Sequence, residues 1–199
     1  MSGRGFGAKP VVLRCSRCGR FVDWEEARLQ IACGCRTKLQ LPPVLVRDAT
    51  DADRVAALAL IRRDFGQTTV VAFGEPVSFD GALMLAASMK GELAGALAYR
   101  LLPDALQILA LATDPMWQRT GVGGHLVAEA EAAARSRGLG RIVVATTNDN
   151  LPALYFYQRC GYVVTALVPA AILPHLKVAP AAGFGGIPIR DEIRLEKNL

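Results

Sequence analysis

Two groups of residues stand out for the chemistry that their types and spacing allow. The first is Gln118-Arg119-Thr120-Gly121-Val122-Gly123-Gly124, between an apolar run, Ala105 to Thr113, and an amphipathic run, Gly124 to Gly138. A strand that hands a glycine-rich turn to the start of a helix presents unpaired backbone N–H groups and the positive end of the helix dipole, which suits a phosphorylated ligand. We read this turn as a pyrophosphate cradle. It is neither of the familiar phosphate motifs: Leu126 stands where a G-x-G-x-x-G needs its third glycine, and no Walker lysine follows. The same glycines also fit a tight turn that serves packing alone.

The second group is Cys15-Ser16-Arg17-Cys18 and Cys33-Gly34-Cys35, a C-x2-C and a C-x-C separated by fourteen residues. Two thiol pairs on tight turns can close a tetrahedral four-cysteine zinc site, with Gly19 and Gly34 giving the turns their freedom. Disulfides are disfavoured in a reducing compartment, and a redox C-x-x-C lacks its strand–helix context here. The ligands are then Cys15, Cys18, Cys33 and Cys35 around a structural Zn2+, because a four-thiolate site has no open position for catalysis. Residues 1 to 42 hold 8 Lys/Arg and 3 Asp/Glu, whereas residues 43 to 199 hold 15 of each, so the whole formal charge of +5 belongs to this front segment. A basic zinc ribbon over residues 1–42 is the expectation, able to bind a protein or nucleic acid or merely to steady the fold.

Leu41-Pro42-Pro43 reads as a short stiff linker to a second domain, residues 43–199. There the pattern alternates strands and helices. Val44 to Arg47 reads as a strand, and Asp48-Ala49-Thr50-Asp51 offers caps to a helix reaching about Asp64, with Val55, Leu58, Ala59 and Ile61 apolar. Gly66 to Asp80 reads as loop or short helix. Leu83 to Met89 and Leu93 to Leu101 form a hairpin about Lys90-Gly91-Glu92, and Ala105 to Thr113 makes a third consecutive strand. The helix after the cradle places Val122, Leu126, Ala130, Ala133 and Ala134 on one side, and Arg141 to Thr147 is a further strand. Asn150 can cap a helix with Pro152 in its first turn and Gly161 at its end, before a strand from Tyr162 to Leu167. The tail from Gly186 to Glu196 alternates as a one-face-exposed strand expected beside the one starting at Tyr162.

Two stretches together resemble a known family. The Q-x-x-G-x-G of Gln118 to Gly123 resembles the acyl-CoA cradle of the GNAT-type N-acetyltransferases, and Asn150, Ala153, Tyr157, Gly161 and Tyr162 match that family's second signature, N-x-x-A-x-x-x-Y-x-x-x-G-[FY]. The element order agrees as well, over about residues 44–199. The resemblance implies an α/β (α+β) fold with a mixed, mostly antiparallel central sheet flanked by helices. It implies an enzyme that moves an acetyl group from acetyl-CoA to an amine of a small molecule or protein by direct transfer. Leu111, Ala112 and Thr113 would pair with the pantetheine arm, and Gln118, Arg119, Thr120, Gly121, Val122, Gly123 and Gly124 would hold the pyrophosphate. Asn150 and Tyr157 would complete the site, with Tyr157 as general acid to the departing sulfur.

The strand from Ala105 to Thr113 lacks the glutamate that family members often carry there, which leaves proton removal to a water chain or to acids on loops, with Glu75, Asp80 and Asp114 as candidates. The alternative is an acyl-CoA-binding regulatory protein with weak or no transferase activity, whose ribbon holds a partner or nucleic acid. Cys160 reads as a buried thiol, and His125 and His175 as solvent-facing. Met1 to Lys9 has no apolar run of signal-peptide length, and Pro169 and Pro174 interrupt the longest uncharged run, so a cytoplasmic protein without a membrane span is expected; an oligomer stays open.

Overall fold

The computed structural model describes residues 12–23, 40–66, 69–176 and 181–199. In the front segment, β1 (Val12–Arg14) and β2 (Phe21–Asp23) form an antiparallel hairpin around the Cys15–Cys18 turn. Leu13 and Cys15 are buried in the same apolar cluster as the core of the larger unit. Cys33 and Cys35 lie outside the described residues, so of the expected zinc ligands only Cys15 and Cys18 are placed. Among the described residues there is no group of three or more metal-ligating side chains.

The larger unit is built on a seven-stranded sheet. Its strands are β3 (Leu45–Asp48), β6 (Leu83–Met89), β7 (Glu92–Leu101), β8 (Leu106–Thr113), β9 (Arg141–Thr147), β10 (Val163–Val168) and β11 (Glu192–Asn198), in the order β10-β11-β9-β8-β7-β6-β3. Every pairing is antiparallel except β8 with β9. The expected mixed, mostly antiparallel sheet is therefore present, with β11 beside β10. The β6–β7 hairpin turns on Lys90 and Gly91, both at positive φ (52° and 82°), as a two-residue turn matched to strand twist requires.

Helix α1 (Asp51–Phe65) opens with a reciprocal cap: the Thr50 side chain accepts from the Asp53 N–H, and the Asp53 carboxylate accepts from the Thr50 N–H at 2.8 Å. Hydrogen bonds from the Arg47 guanidinium and from Thr50 hold the Asp53 carboxyl well below the usual carboxylate range. The buried face of α1 is Ala57, Leu60 and Ile61, whereas Val55 is exposed. Of the four apolar residues read from the sequence, Ile61 is buried and Leu58 packs against the same cluster, whereas Val55 and Ala59 are exposed, because α1 settles where Ala96, Ala98, Ala110 and Ala112 leave the sheet shallow.

Residues 66–80 correct the sequence reading. In place of a loop or short helix, β4 (Thr69–Ala72) and β5 (Glu75–Ser78) form a second hairpin, turning on Phe73 and Gly74 at φ 57° and 81°. Its tip is fastened to the sheet by Glu192, fully buried, which accepts from the Gly74 N–H at 3.3 Å and from Arg194 Nε at 2.6 Å, while Arg194 stacks on Phe73. The opposite face of the sheet carries α2 (Val122–Ser136) and α3 (Leu151–Arg159), which complete the larger apolar cluster. The last strand begins at Glu192, later than the alternation from Gly186 suggests.

Candidate active site

The site starts from a parting of two strands. β8 and β9 pair at Leu106–Ile142, Gln107–Val143 and Ile108–Val144, and no further. Beyond that point β9 stays bonded to β11 as far as Thr147, while β8 stays with β7 across an irregularity at Ala98/Tyr99. Among the described residues, the edge of β8 turned away from β7, from Leu109 to Thr113, therefore has no strand partner. This opening is where the resemblance puts the pantetheine arm, against Leu111, Ala112 and Thr113. The Thr113 carbonyl already accepts from Arg63 at 3.3 Å and from Gln118 Nε2 at 3.5 Å, so Gln118 serves the turn from its side chain.

The turn that follows is fixed from inside the protein. Asp114 caps a single 3-10 turn, Pro115–Trp117, by accepting from the Met116 N–H at 2.9 Å, and Trp117 is buried. The Thr120 hydroxyl donates to the Trp117 carbonyl at 2.5 Å. Arg119 and Gly121 both take positive φ, 65° and 97°, which turns the chain into α2. The helix begins at Val122, two residues before the apolar pattern indicates. Helices α1 and α3 are each closed at the N-terminus by a side chain, Thr50 and Asn150; α2 has Gly121 there, no side-chain cap and no acidic residue in its first turn. Its leading N–H groups, which no turn of helix can satisfy, are left for solvent or an anion.

Two glycines let the pieces meet. A Cβ on Gly95 in β7 would lie 2.7 Å from Val122 Cγ1 and 3.1 Å from Leu126 Cδ1, so the start of α2 rests directly on the sheet. A Cβ on Gly123 would lie 3.2 Å from the Phe156 ring, which brings the first turn of α2 against α3. The structure thus joins the two sequence signatures. Asn150 accepts from the Ala153 N–H at 3.2 Å and starts α3. Tyr157, one residue past Phe156, is buried between Phe156 and Tyr162, with ring centroids 5.2 and 5.5 Å away in edge-on arrangements. Burial pushes its phenol far above the ordinary value, so it stays protonated. Burial also raises the half-buried Cys160 thiol, which disfavours its thiolate. His125 and His175 are exposed.

The three carboxylates considered for the base are Glu75, Asp80 and Asp114. Glu75 and Asp80 are exposed on and after β5, and Asp114 is committed to its cap, with Arg63 at 3.7 Å. The residue that sequence reasoning passed over is Asp149, in the turn between β9 and α3. It is 6% exposed, and its Oδ1 has no hydrogen-bond partner. Its position in Asn148-Asp149-Asn150 was the one available cue, since what buries it is a segment 34 or more residues later.

The comparisons agree with this geometry. Residues 62–162 match the acetyltransferase (GNAT) family. The uncharacterized protein YxbD of Bacillus subtilis (strain 168) is 37% identical over 111 residues, covering 54% of this chain and 69% of that protein. The streptothricin acetyltransferase of Streptomyces lavendulae is 32% identical over 90 residues, 44% of this chain and 48% of that one. A solved B. subtilis acetyltransferase in complex with CoA superposes with a TM-score of 0.61 at 23% identity, over 80% of this chain and 99% of its own. With the family matched across half the chain and the mostly antiparallel sheet in place, the chain belongs to the acetyltransferase (GNAT) family and is an N-acetyltransferase.

Proposed function

We propose that the protein transfers the acetyl group of acetyl-CoA directly to an amine, in the opening between β8 and β9. The observation that carries this is the uncapped start of α2 beside the unpaired edge of β8, a phosphate site and a strand-like site in continuity. The N–H groups of residues 119–124 hold the pyrophosphate, and the backbone of Leu111, Ala112 and Thr113 takes the pantetheine arm, one N–H polarising the thioester carbonyl. Asn150 positions α3, and Tyr157 protonates the leaving sulfur. Burial keeps the phenol protonated and at the same time makes it a weaker acid than an ordinary tyrosine, so its contribution to expelling the sulfur is modest. The CoA bound by the B. subtilis structure supports the donor, and the streptothricin acetyltransferase supports a cationic amine as acceptor. The test is a mass-spectrometric screen with acetyl-CoA over streptothricin, aminoglycosides, simple alkylamines and peptides with a free N-terminus. Acetylation of at least one amine is expected; CoA binding with no transfer to any of them would count against the enzyme.

The front segment, residues 1–42, is proposed as a zinc ribbon that packs through Leu13 and Cys15 against the core of the acetyltransferase domain, residues 43–199, in a cytoplasmic protein. Among the described residues no helix is long and apolar enough to cross a membrane. Cys15 and Cys18 stand on one tight turn, where the Cys15 carbonyl accepts from the Gly19 N–H at 3.0 Å and the Cys15 N–H donates to the Arg20 carbonyl at 2.9 Å. That turn fits two thiolates of a closed Zn2+ site, with Cys33 and Cys35 as the other two. The ribbon would take a protein or nucleic-acid partner through its basic residues. Purified protein is expected to hold about one zinc per chain and to lose it in Cys33→Ser; zinc content unchanged by that substitution, or none in the wild type, would contradict the site.

A further inference from the structure

Asp149, in the turn between β9 and α3, is buried with half of its carboxylate unused. Its Oδ2 accepts from the Phe184 N–H at 3.1 Å, and its Oδ1 has no partner and almost no solvent. A carboxylate oxygen left so is costly, and its persistence calls for a ligand. β8 and β9 part beyond Ile108–Val144, and Asp149 stands two residues past the end of β9, in the turn that leads from the parted strand into α3.

The cover over Asp149 is a strap, residues 181–189, closed by hydrogen bonds from the Gly183 N–H to the Ile187 carbonyl and from the Ile189 N–H to the Ala181 carbonyl, both 2.9 Å. Asn148 secures its base: the Asn148 Oδ1 accepts from the N–H groups of Arg190 and Asp191, and its Nδ2 donates to the Pro188 carbonyl at 3.0 Å. The tip approaches Asp149 so closely that a Cβ on Gly183 would stand 1.9 Å from its Oδ2. Only a residue without a side chain can sit there. Phe184, Gly185 and Gly186 at the tip are exposed, and the single Phe184 N–H is the hydrogen bond that ties them to the carboxylate.

We propose that Asp149 is the catalytic carboxylate that binds the acceptor's ammonium group and takes its proton, reached when the tip of the strap lifts. This rests on the acetyltransferase reading given above. Asp149 Oδ1 removes one proton from the ammonium, and the freed lone pair forms the C–N bond to the thioester carbonyl carbon. The C–S bond then breaks, the thiolate takes the Tyr157 proton, the proton left on nitrogen restores the phenol, and Asp149 releases its own to water. The substrate class is a primary alkylamine that arrives as a cation. At pKa about 10.4 such an amine is almost wholly protonated at pH 7, so a group that both attracts the cation and accepts its proton answers both needs.

The test uses n-butylammonium chloride as the probe on 15N-labelled, CoA-saturated full-length protein. In the wild type, saturable shifts are expected at the amides of Asn150 and Phe184. In Asp149→Asn, which keeps shape and an oxygen for Phe184, they are expected to disappear. Gly183→Ala, which pushes on Asp149 from the strap, is expected to weaken them as well. CoA binding and the thermal midpoint, measured alongside, are expected to match the wild type in Asp149→Asn. No shift in the wild type, or the same saturable shift in Asp149→Asn, overturns the proposal. Loss of CoA binding in the wild type itself would instead refute the acetyltransferase reading. With an amine identified by the acceptor screen, Asp149→Asn is expected to lower kcat/KM about 10²- to 10⁴-fold; a value within threefold of the wild type overturns the proposal too.

Discussion

Gly124→Pro is expected to weaken acetyl-CoA binding about 10- to 100-fold, while Gly124→Ala leaves it intact. Gly124 is the third residue of α2, exposed, with open space around its Cβ position. The first intrahelical bond is made one residue later, by the His125 N–H to the Gly121 carbonyl, so the Gly124 N–H serves no turn of helix. Proline is tolerated in the first turn of a helix and here removes that donor with little else. A hydrogen bond to a charged group is worth about 1.5–3 kcal/mol, which sets the expected loss. Alanine keeps the N–H and is favoured over glycine in a helix by about 1 kcal/mol, so it controls for the side chain. Titration calorimetry of both variants makes the comparison. Equal affinity in Gly124→Pro would mean that the first turn of α2 does not hold the phosphates.

Tyr157→Phe is expected to lower kcat about 10- to 1,000-fold with little change in the KM for acetyl-CoA. The effect falls below the most severe general-acid losses because a thiolate, whose conjugate acid has a pKa of about 8.5, leaves well unaided. The ring is buried against Phe156 and Tyr162, and phenylalanine preserves that packing, so a loss of rate would report the hydroxyl. The pH dependence follows from sign alone. Burial raises the Tyr157 phenol, so the protonated form persists above the ordinary tyrosine pKa of about 10. The wild-type rate should therefore show no fall on the alkaline side up to about pH 10 from this group. Steady-state kinetics across that range, with an amine from the acceptor screen, gives both readings; a kcat in Tyr157→Phe equal to that of the wild type would remove Tyr157 as the acid.

What could be read from the sequence was local. The cradle, the caps at Thr50 and Asn150, the Lys90–Gly91 hairpin and the order of strands each depend on residues a few positions apart, and the family resemblance joined them into a fold. What escaped was set by partners distant in sequence. The β4–β5 hairpin was hidden because its turn uses Phe73 at positive φ and its second strand contains Pro76, both poor strand cues, and its tip is held by Glu192 and Arg194 more than a hundred residues away. The buried face of α1 follows from alanines on β7 and β8, not from its own weak pattern. Gly95 and Gly183 look like ordinary glycines until Val122 and Asp149 are seen against them. The base candidates Glu75, Asp80 and Asp114 were chosen for being acidic and near the right strands, whereas Asp149 is singled out by burial and an idle oxygen, which no sequence pattern carries.

Acetyl-CoA is expected to lie between the parted ends of β8 and β9 with its pyrophosphate on the start of α2. Titrating acetyl-CoA into 15N-labelled protein and following the backbone amides tests this most directly. Saturable shifts concentrated at residues 111–113 and 119–124 are the predicted result, the latter reduced in Gly124→Pro. Saturation without shifts in those two stretches, or no binding at all, would contradict it.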